Sequence, residues 1–287
     1  MTGLSFSFGT VGSPKSTPKK PGGSVGGVMQ NAALGLYCLE LGWVRSVRVS
    51  EQTCEKIKST AEESGVAISV HAPYYINLNA DDDEWPKSRK RLMDAALFGN
   101  LAGATDIVFH PGSYFERPPD EVLPVAIERL RDCVDELRSA GNPVMLRPET
   151  MGKSAMLGSL NDTLQMSLEI EGVQPCFDVA HLFARPGDGS MNSYDHWARA
   201  LESYGSKLGE DSLNQLHVHI SGIDYGEKGE KEHQPLDESE FDYKSFLKAL
   251  NDFNCQGRIL CESPILEEDA LICKSAWCEI SGENPAA

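Results

Sequence analysis

Short runs rich in Val, Ile, Leu, Phe and Cys alternate along this chain with longer stretches in which apolar residues recur every three or four positions. The short runs read as strands and the longer ones as amphipathic helices. Strands are predicted at 4–9, 36–41, 67–71, 106–110, 144–149, 175–178, 214–219 and 258–262. Helical patterns lie between them at 25–34, 51–64, 86–102, 119–139, 158–170, 192–203 and 241–253, and a last one covers 267–279. Ser50 ahead of Glu51, and Pro118-Pro119 ahead of Asp120-Glu121, are good helix openings. No linker or charge block interrupts the alternation, so we expect an α/β chain forming a single (β/α)8 TIM barrel domain over residues 1–287. The stretch GSPKSTPKKPGGSVGG, from Gly12 to Gly27, follows the first strand. Its prolines and glycines predict an irregular rim loop, mobile unless a ligand or partner orders it.

Six of the apolar runs end on a residue able to bind a metal: ISV-His71, DIVF-His110, VMLRP-Glu149, CF-Asp178, LHV-His219 and RIL-Cys-Glu262. They recur roughly 30 to 45 residues apart, the length of a strand-helix unit, so parallel neighbouring strands would bring them together at the C-terminal rim of a barrel. Roughly one residue in six of the chain is Asp, Glu or His, and chance placement does not put one at six strand ends in succession.

Composition narrows the partners. The net charge is −17, which by itself argues against a nucleic-acid phosphate backbone. Lys15, Lys19, Lys20, Arg45, Arg48, Lys153, Arg185, Lys228 and Lys231, however, all fall in segments expected as strand-to-helix loops, which predicts a basic rim on an acidic body. The eight cysteines form no CxxC pair and sit in apolar contexts, as expected of reduced core residues. No run of eighteen apolar residues is present, and MTGLSFSFGT lacks the features of a signal peptide, so the expected location is cytoplasmic.

Three imidazoles and three carboxylates at the strand ends are the stock for two divalent ions. A carboxylate can bridge ions roughly 3.5 to 4 Å apart, a spacing suited to in-line displacement at phosphorus. The histidine content favours Zn²⁺ over Mg²⁺, with Mn²⁺ or iron as alternatives. His217 shares a strand face with His219 and is expected to support it, Cys261 faces away from Glu262, and His196 reads as plain helix surface.

The motifs SVHAPYYINL (Ser69 to Leu78), FHPGSY (Phe109 to Tyr114), CFDVAH (Cys176 to His181), VHIS (Val218 to Ser221) and ILCES (Ile259 to Ser263) together resemble the ordered motifs of the endonuclease IV family of apurinic/apyrimidinic endonucleases. The resemblance runs from the first strand to the eighth and is closest to the shorter archaeal-type branch. It implies a TIM barrel with three zinc ions that hydrolyses the phosphodiester 5′ to abasic sites in base-excision DNA repair. By the same resemblance His71, His110 and Glu149 hold one ion. Glu149, Asp178, His219 and Glu262 hold a second, and His181 and His233 belong to the third. Glu149 is then the bridging, catalytically essential residue.

Two departures stand out. The loop TMGKSAMLG after Glu149 is about one residue short of the bacterial pattern, and Lys231-Glu232-His233 stands where the family has Asp-x-His. A lysine there predicts two tightly held ions and an easily lost third, unless Glu230 or Glu232 swings in; Lys231 could instead hold a phosphate. Tyr74 and Tyr75 lie in the loop with which the family enters DNA, and Arg45 and Arg48 in the segment of its penetrating arginine. With Lys153 and Lys231 they are the expected DNA contacts. The expected partner is double-stranded DNA with abasic sites, bound by a monomer with no membrane association. Two other functions compete: a sugar isomerase or epimerase on a xylose-isomerase-like barrel, and a damage-binding protein with an impaired metal site.

Overall fold

A computed structural model describes residues 4–284. In chain order it contains β1 (Phe6–Val11), α1 (Gly23–Ala33), β2 (Cys38–Gly42), α2 (Glu51–Ser64), β3 (Ala67–His71), α3 (Trp85–Leu101) and β4 (Ala104–Phe109). There follow α4 (Pro119–Ser139), β5 (Met145–Pro148), α5 (Leu160–Glu169), β6 (Cys176–Asp178), α6 (Val179–Ala184) and α7 (Tyr194–Leu208). The chain closes with β7 (Leu216–Ile220), β8 (Gly222–Gly226), β9 (Gly229–Gln234), α8 (Tyr243–Asp252), β10 (Gly257–Cys261) and α9 (Glu267–Ser281). Eight strands pair in parallel in the order β5-β4-β3-β2-β1-β10-β7-β6. The two ends of this sheet meet through parallel bridges, Leu146 with Val173 and Glu149 with Cys176, which close the barrel. All eight predicted strands are present, and α2 and α4 have the predicted bounds. Ser50 caps α2 by accepting from the Thr53 amide.

Three local features differ from the sequence expectation. The hairpin β8–β9 and the short helix α6 were not predicted. The hairpin sequence GIDYGEKGEKEHQ is polar on both faces and so lacks the period-two apolar signal, while α6 is buried throughout and too short to show a helical period. The Gly12–Gly27 stretch is not wholly irregular, because α1 begins at Gly23. Nor is it loosely held: the Glu267 carboxylate accepts from the Lys15 amide at 2.8 Å and the Ser16 amide at 2.7 Å, while the side chains of Lys15, Lys19 and Lys20 remain exposed.

Apolar residues fill the space between barrel and helices in two clusters, one around β2–β5 and one around β6, β7 and β10. The barrel lumen is different. Bulky branched side chains normally fill it, but here Glu40, Ser69, His71, Asp106, Arg147, Glu149, His217 and His219 are buried, each 5% exposed or less. Several of their contacts join strands that are not sheet neighbours, Asp106 of β4 with Arg258 of β10 and Glu40 of β2 with His217 and His219 of β7, so these contacts cross the lumen. At the N-terminal mouth Asp106 on β4 meets Arg147 at 2.6 Å and Arg258 of β10 at 3.1 Å. Glu40 on β2 meets His217 and His219 of β7 in the middle layer. The uppermost layer is centred on Glu149.

All eight cysteines are free, seven of them buried, and burial pushes the thiols of Cys38, Cys255 and Cys261 up to about 12, which leaves them protonated and inert at neutral pH. Among the described residues no helix is long and apolar enough to cross a membrane.

Candidate metal centre

The six strand-end residues converge around Glu149, which is fully buried just beyond β5. Its two carboxylate oxygens face different partners. Oε2 lies 3.2 Å from His71 Nε2 and 3.1 Å from His110 Nε2, whereas Oε1 lies 3.3 Å from His219 Nδ1. His219 Nδ1 is also 3.3 Å from Glu262 Oε1, and Asp178 completes this second group. His71 donates from Nδ1 to the Ala72 carbonyl at 2.9 Å, so in the neutral ring the Nε2 lone pair points into the cluster.

A third group joins Asp178, His181 and His233. His181 Nδ1 donates to the Thr150 carbonyl at 2.9 Å, and its Nε2 faces His233 Nε2 at 3.3 Å. The hairpin supplies His233 from β9. It also supplies Glu230, whose buried Oε2 lacks a hydrogen-bond partner and lies 3.6 Å from His181 Nε2. Lys231, by contrast, is more than half exposed and turns outward to Asp224 at 3.2 Å. The inward carboxylate on this strand is therefore Glu230, one residue before the lysine. Gly152, in the loop after β5, makes this approach possible: a Cβ there would lie 2.6 Å from Glu230 Oε2, and its carbonyl accepts from the Glu230 amide.

The fit to cations is direct. Asp178 Oδ2 and Glu230 Oε2 are buried without donors, and the His181 and His233 nitrogens confront one another. Buried acceptors require partners. Electrostatics agree. Burial opposes charge on Glu149, yet the surrounding imidazoles of His110, His219 and His71 hold its carboxyl well below the usual range. Burial likewise disfavours imidazolium, but Glu149 raises His71, and Asp178 with Glu149 raises His181, each to about 9. In the ion-free protein these two rings are thus protonated at neutral pH and must lose their protons to coordinate. Uptake of a divalent ion at pH 7 should release protons, and affinity should climb as pH rises towards 9. Titration calorimetry in buffers of different ionisation enthalpy measures this; buffer-independent heats would contradict it.

The cavity above the cluster, about 430 Å³, is lined by His71, Tyr74, His110, Lys153, Glu230 and Glu262 among others. Tyr74 stacks on His110 with centroids 4.8 Å apart and meets His71 edge-on at 5.2 Å, so much of its ring is committed to the centre. Tyr75 is 63% exposed and is the freer of the two. Arg45 and Arg48 are exposed in the loop after β2, with no hydrogen-bond or ion-pair partner among the described residues. Arg185 does not belong to the basic rim expected from sequence. Its guanidinium donates inward to the carbonyls of Met151, Lys153 and Met156 and thereby shapes the loop that carries Gly152. His196 pairs with Ser193 at the start of α7, outside the cluster.

Sequence reasoning overlooked Glu40 and named Glu230 only as an alternative to Glu232. Glu40 had a signal, an acidic residue within the apolar run YCLEL of β2, whereas Glu230 is one of several charges in an exposed-looking loop.

Residues 30–276 match the family model described as xylose isomerase-like TIM barrel. An uncharacterized protein from Methanocaldococcus jannaschii is 36% identical over 95% of this chain and 97% of its own length. Endonuclease 4 of Thermus thermophilus is 30% identical over 56% of this chain and 60% of its own length. Among solved structures, an endonuclease IV from Thermus thermophilus superposes with a TM-score of 0.69 at 21% identity, covering 94% of this chain and 98% of its own. A D-tagatose 3-epimerase-like protein superposes with a TM-score of 0.63 at 18% identity, covering 86% of this chain and 90% of its own. The resemblance to the endonuclease IV family drawn from the sequence motifs is borne out by these relatives.

Proposed function

Because the chain belongs to the xylose isomerase-like TIM barrel family, whose fold serves more than one chemistry, we propose from its site that it is a zinc-dependent endonuclease hydrolysing the phosphodiester 5′ to abasic sites in double-stranded DNA. The observation that carries this reading is the division of Glu149: its two oxygens address separate sets of ligands, His71 and His110 on one side, His219 on the other. Divalent ions held there would supply an activated water and neutralise charge on phosphorus. The chain's own residues do the rest. Glu149 sets the spacing of the two sets. Asp178, His219 and Glu262 complete the second, and His181, His233 and Glu230 form the third. Tyr74 fixes the His110 ring by stacking and covers it from solvent. Tyr75 reaches outward as a sequence-tolerant surface for a base or for the gap left by a missing one. Lys153, Arg45 and Arg48 neutralise phosphates along the rim.

Sugar epimerisation is the competing reading, favoured by neighbours such as the D-tagatose 3-epimerase-like protein. Their likeness is one of fold alone, and the surplus imidazoles of His71, His110, His181 and His233 weigh against it. Incubating the purified protein with an abasic-site duplex and, separately, with a panel of ketoses and aldoses separates the two. Strand scission of the duplex without sugar turnover is expected; the reverse would overturn the proposal.

Two further outcomes follow. Glu230→Gln should keep the fold but reduce bound zinc, by elemental analysis, from three ions per chain to about two, since an amide is a poor substitute for a carboxylate ligand. Unchanged stoichiometry would remove Glu230 from the ligand set. Binding to abasic duplex should weaken steeply with salt despite the acidic body, because contact would run through exposed rim cations and release counterions. Changing Lys15, Lys19 and Lys20 together to Ser should flatten that slope. An affinity independent of salt would show that nucleic acid sits elsewhere.

A further inference from the structure

Beneath the metal centre lies a buried carboxylate for which the proposed chemistry has no direct use. Glu40 is 0% exposed in the middle of β2, pointing into the lumen. Two donors from two other strands meet its Oε2, Ser69 Oγ of β3 at 2.7 Å and His217 Nε2 of β7 at 2.9 Å, while His219 Nε2, also on β7, lies 3.0 Å from Oε1. Glu40 Oε1 and His219 Nε2 face each other at 3.0 Å, and neither has a hydrogen-bond partner among the described residues, so each is the other's only recourse. No lysine or arginine among the described residues pairs with Glu40, and its charge is met by imidazole and hydroxyl groups. Burying a carboxylate in a barrel interior is costly unless its lone pairs are used, and here they are used on a side chain that also faces the metal cluster.

An ionised carboxylate only accepts hydrogen bonds. His219 must therefore present N–H at Nε2, and in the neutral ring the lone pair then sits on Nδ1. That nitrogen is the one that lies 3.3 Å from both Glu149 Oε1 and Glu262 Oε1. Without Glu40 the ring would be free to carry its proton on Nδ1, which would turn an N–H towards the ion and abolish coordination. His217, two residues earlier on the same strand face, shares the carboxylate and holds it in place from below.

We propose that Glu40 is a positioning residue that selects the tautomer and ring orientation of His219, making Nδ1 the metal-binding atom, with His217 and Ser69 fixing Glu40. The inference rests on the reading of His219 as a metal ligand. Carboxylates that orient a ligating histidine typically change metal affinity about 10- to 100-fold when altered.

The test compares Glu40→Gln and His219→Gln with the wild type. Zinc affinity is measured by chelator competition, and the protonation and zinc binding of each His219 ring nitrogen by two-bond proton–nitrogen correlation NMR of the zinc-loaded proteins. Glutamine has one carbonyl oxygen and cannot serve both imidazoles. Glu40→Gln should thus retain a cooperative melt, lose zinc affinity about 10- to 100-fold, and show His219 no longer protonated purely at Nε2. If that variant fails to fold, Glu40→Asp, which keeps the charge but withdraws it by one methylene, should show the same pair of changes. A folded Glu40 variant with zinc affinity within about twofold of wild type and an unchanged His219 tautomer, alongside a large loss in His219→Gln, would overturn the positioning role. No loss in His219→Gln would instead overturn the ligand reading beneath it.

Discussion

Glu149→Gln is expected to lower kcat/KM on abasic duplex by at least about 10³-fold while leaving the thermal melt close to wild type. The substitution conserves volume at a fully buried position. It removes the charge shared between the His71/His110 side and the His219 side, and it puts an amide N–H₂ against nitrogens that must present lone pairs. The fold should survive because the apolar clusters lie outside the barrel wall and owe nothing to this carboxylate. Initial rates of strand scission, with zinc content measured on the same samples, make the comparison. Activity within about tenfold of wild type would remove Glu149 from the bridging role.

The largest loss of stability should come from the opposite end of the lumen. Asp106→Ala would leave Arg147, which is 5% exposed, with an unpaired buried charge, and would strip Arg258 of its partner as well. Breaking a buried pair from one side typically costs about 3–5 kcal/mol, and a drop of that order in unfolding free energy is expected from urea denaturation. Burial opposes the Asp106 charge, but Arg147 and Arg258 outweigh it and hold the carboxyl below its ordinary value. Its contribution is therefore present at neutral pH and is lost only as pH falls below the usual carboxylate range through the lower native value. Lys90→Ala, in an exposed i,i+4 pair with Asp94, serves as the control and should leave the midpoint unmoved. Equal midpoints for the two variants would mean that the Asp106 cluster is not a structural plug.

How much of this was legible beforehand divides along one physical line. Strands whose faces are both buried announce themselves as apolar runs, and His71, His110, Glu149, Asp178, His219 and Glu262 were visible because each ends such a run. The parallel order of the strands then brings their ends to one rim. The hairpin β8–β9 carried no such signal, since it packs against α6 rather than in the main sheet and neither of its faces is consistently apolar. Arg185 looked like a rim cation for the same reason: sequence reports that a charge follows a strand or short helix, not which carbonyls surround it.

By itself, then, the sequence determined the barrel, most strand and helix positions and the six strand-end candidate ligands, because hydrophobic periodicity and the strand-helix repeat are local properties. Tertiary structure alone decided three things. It turned Glu230 inward and Lys231 outward, since side-chain direction on a polar hairpin depends on how that hairpin docks on Gly152. It gave the two oxygens of Glu149 to different ligand sets. And it set Glu40 under His217 and His219 across the lumen, because only closure of the barrel brings β2 and β7 face to face.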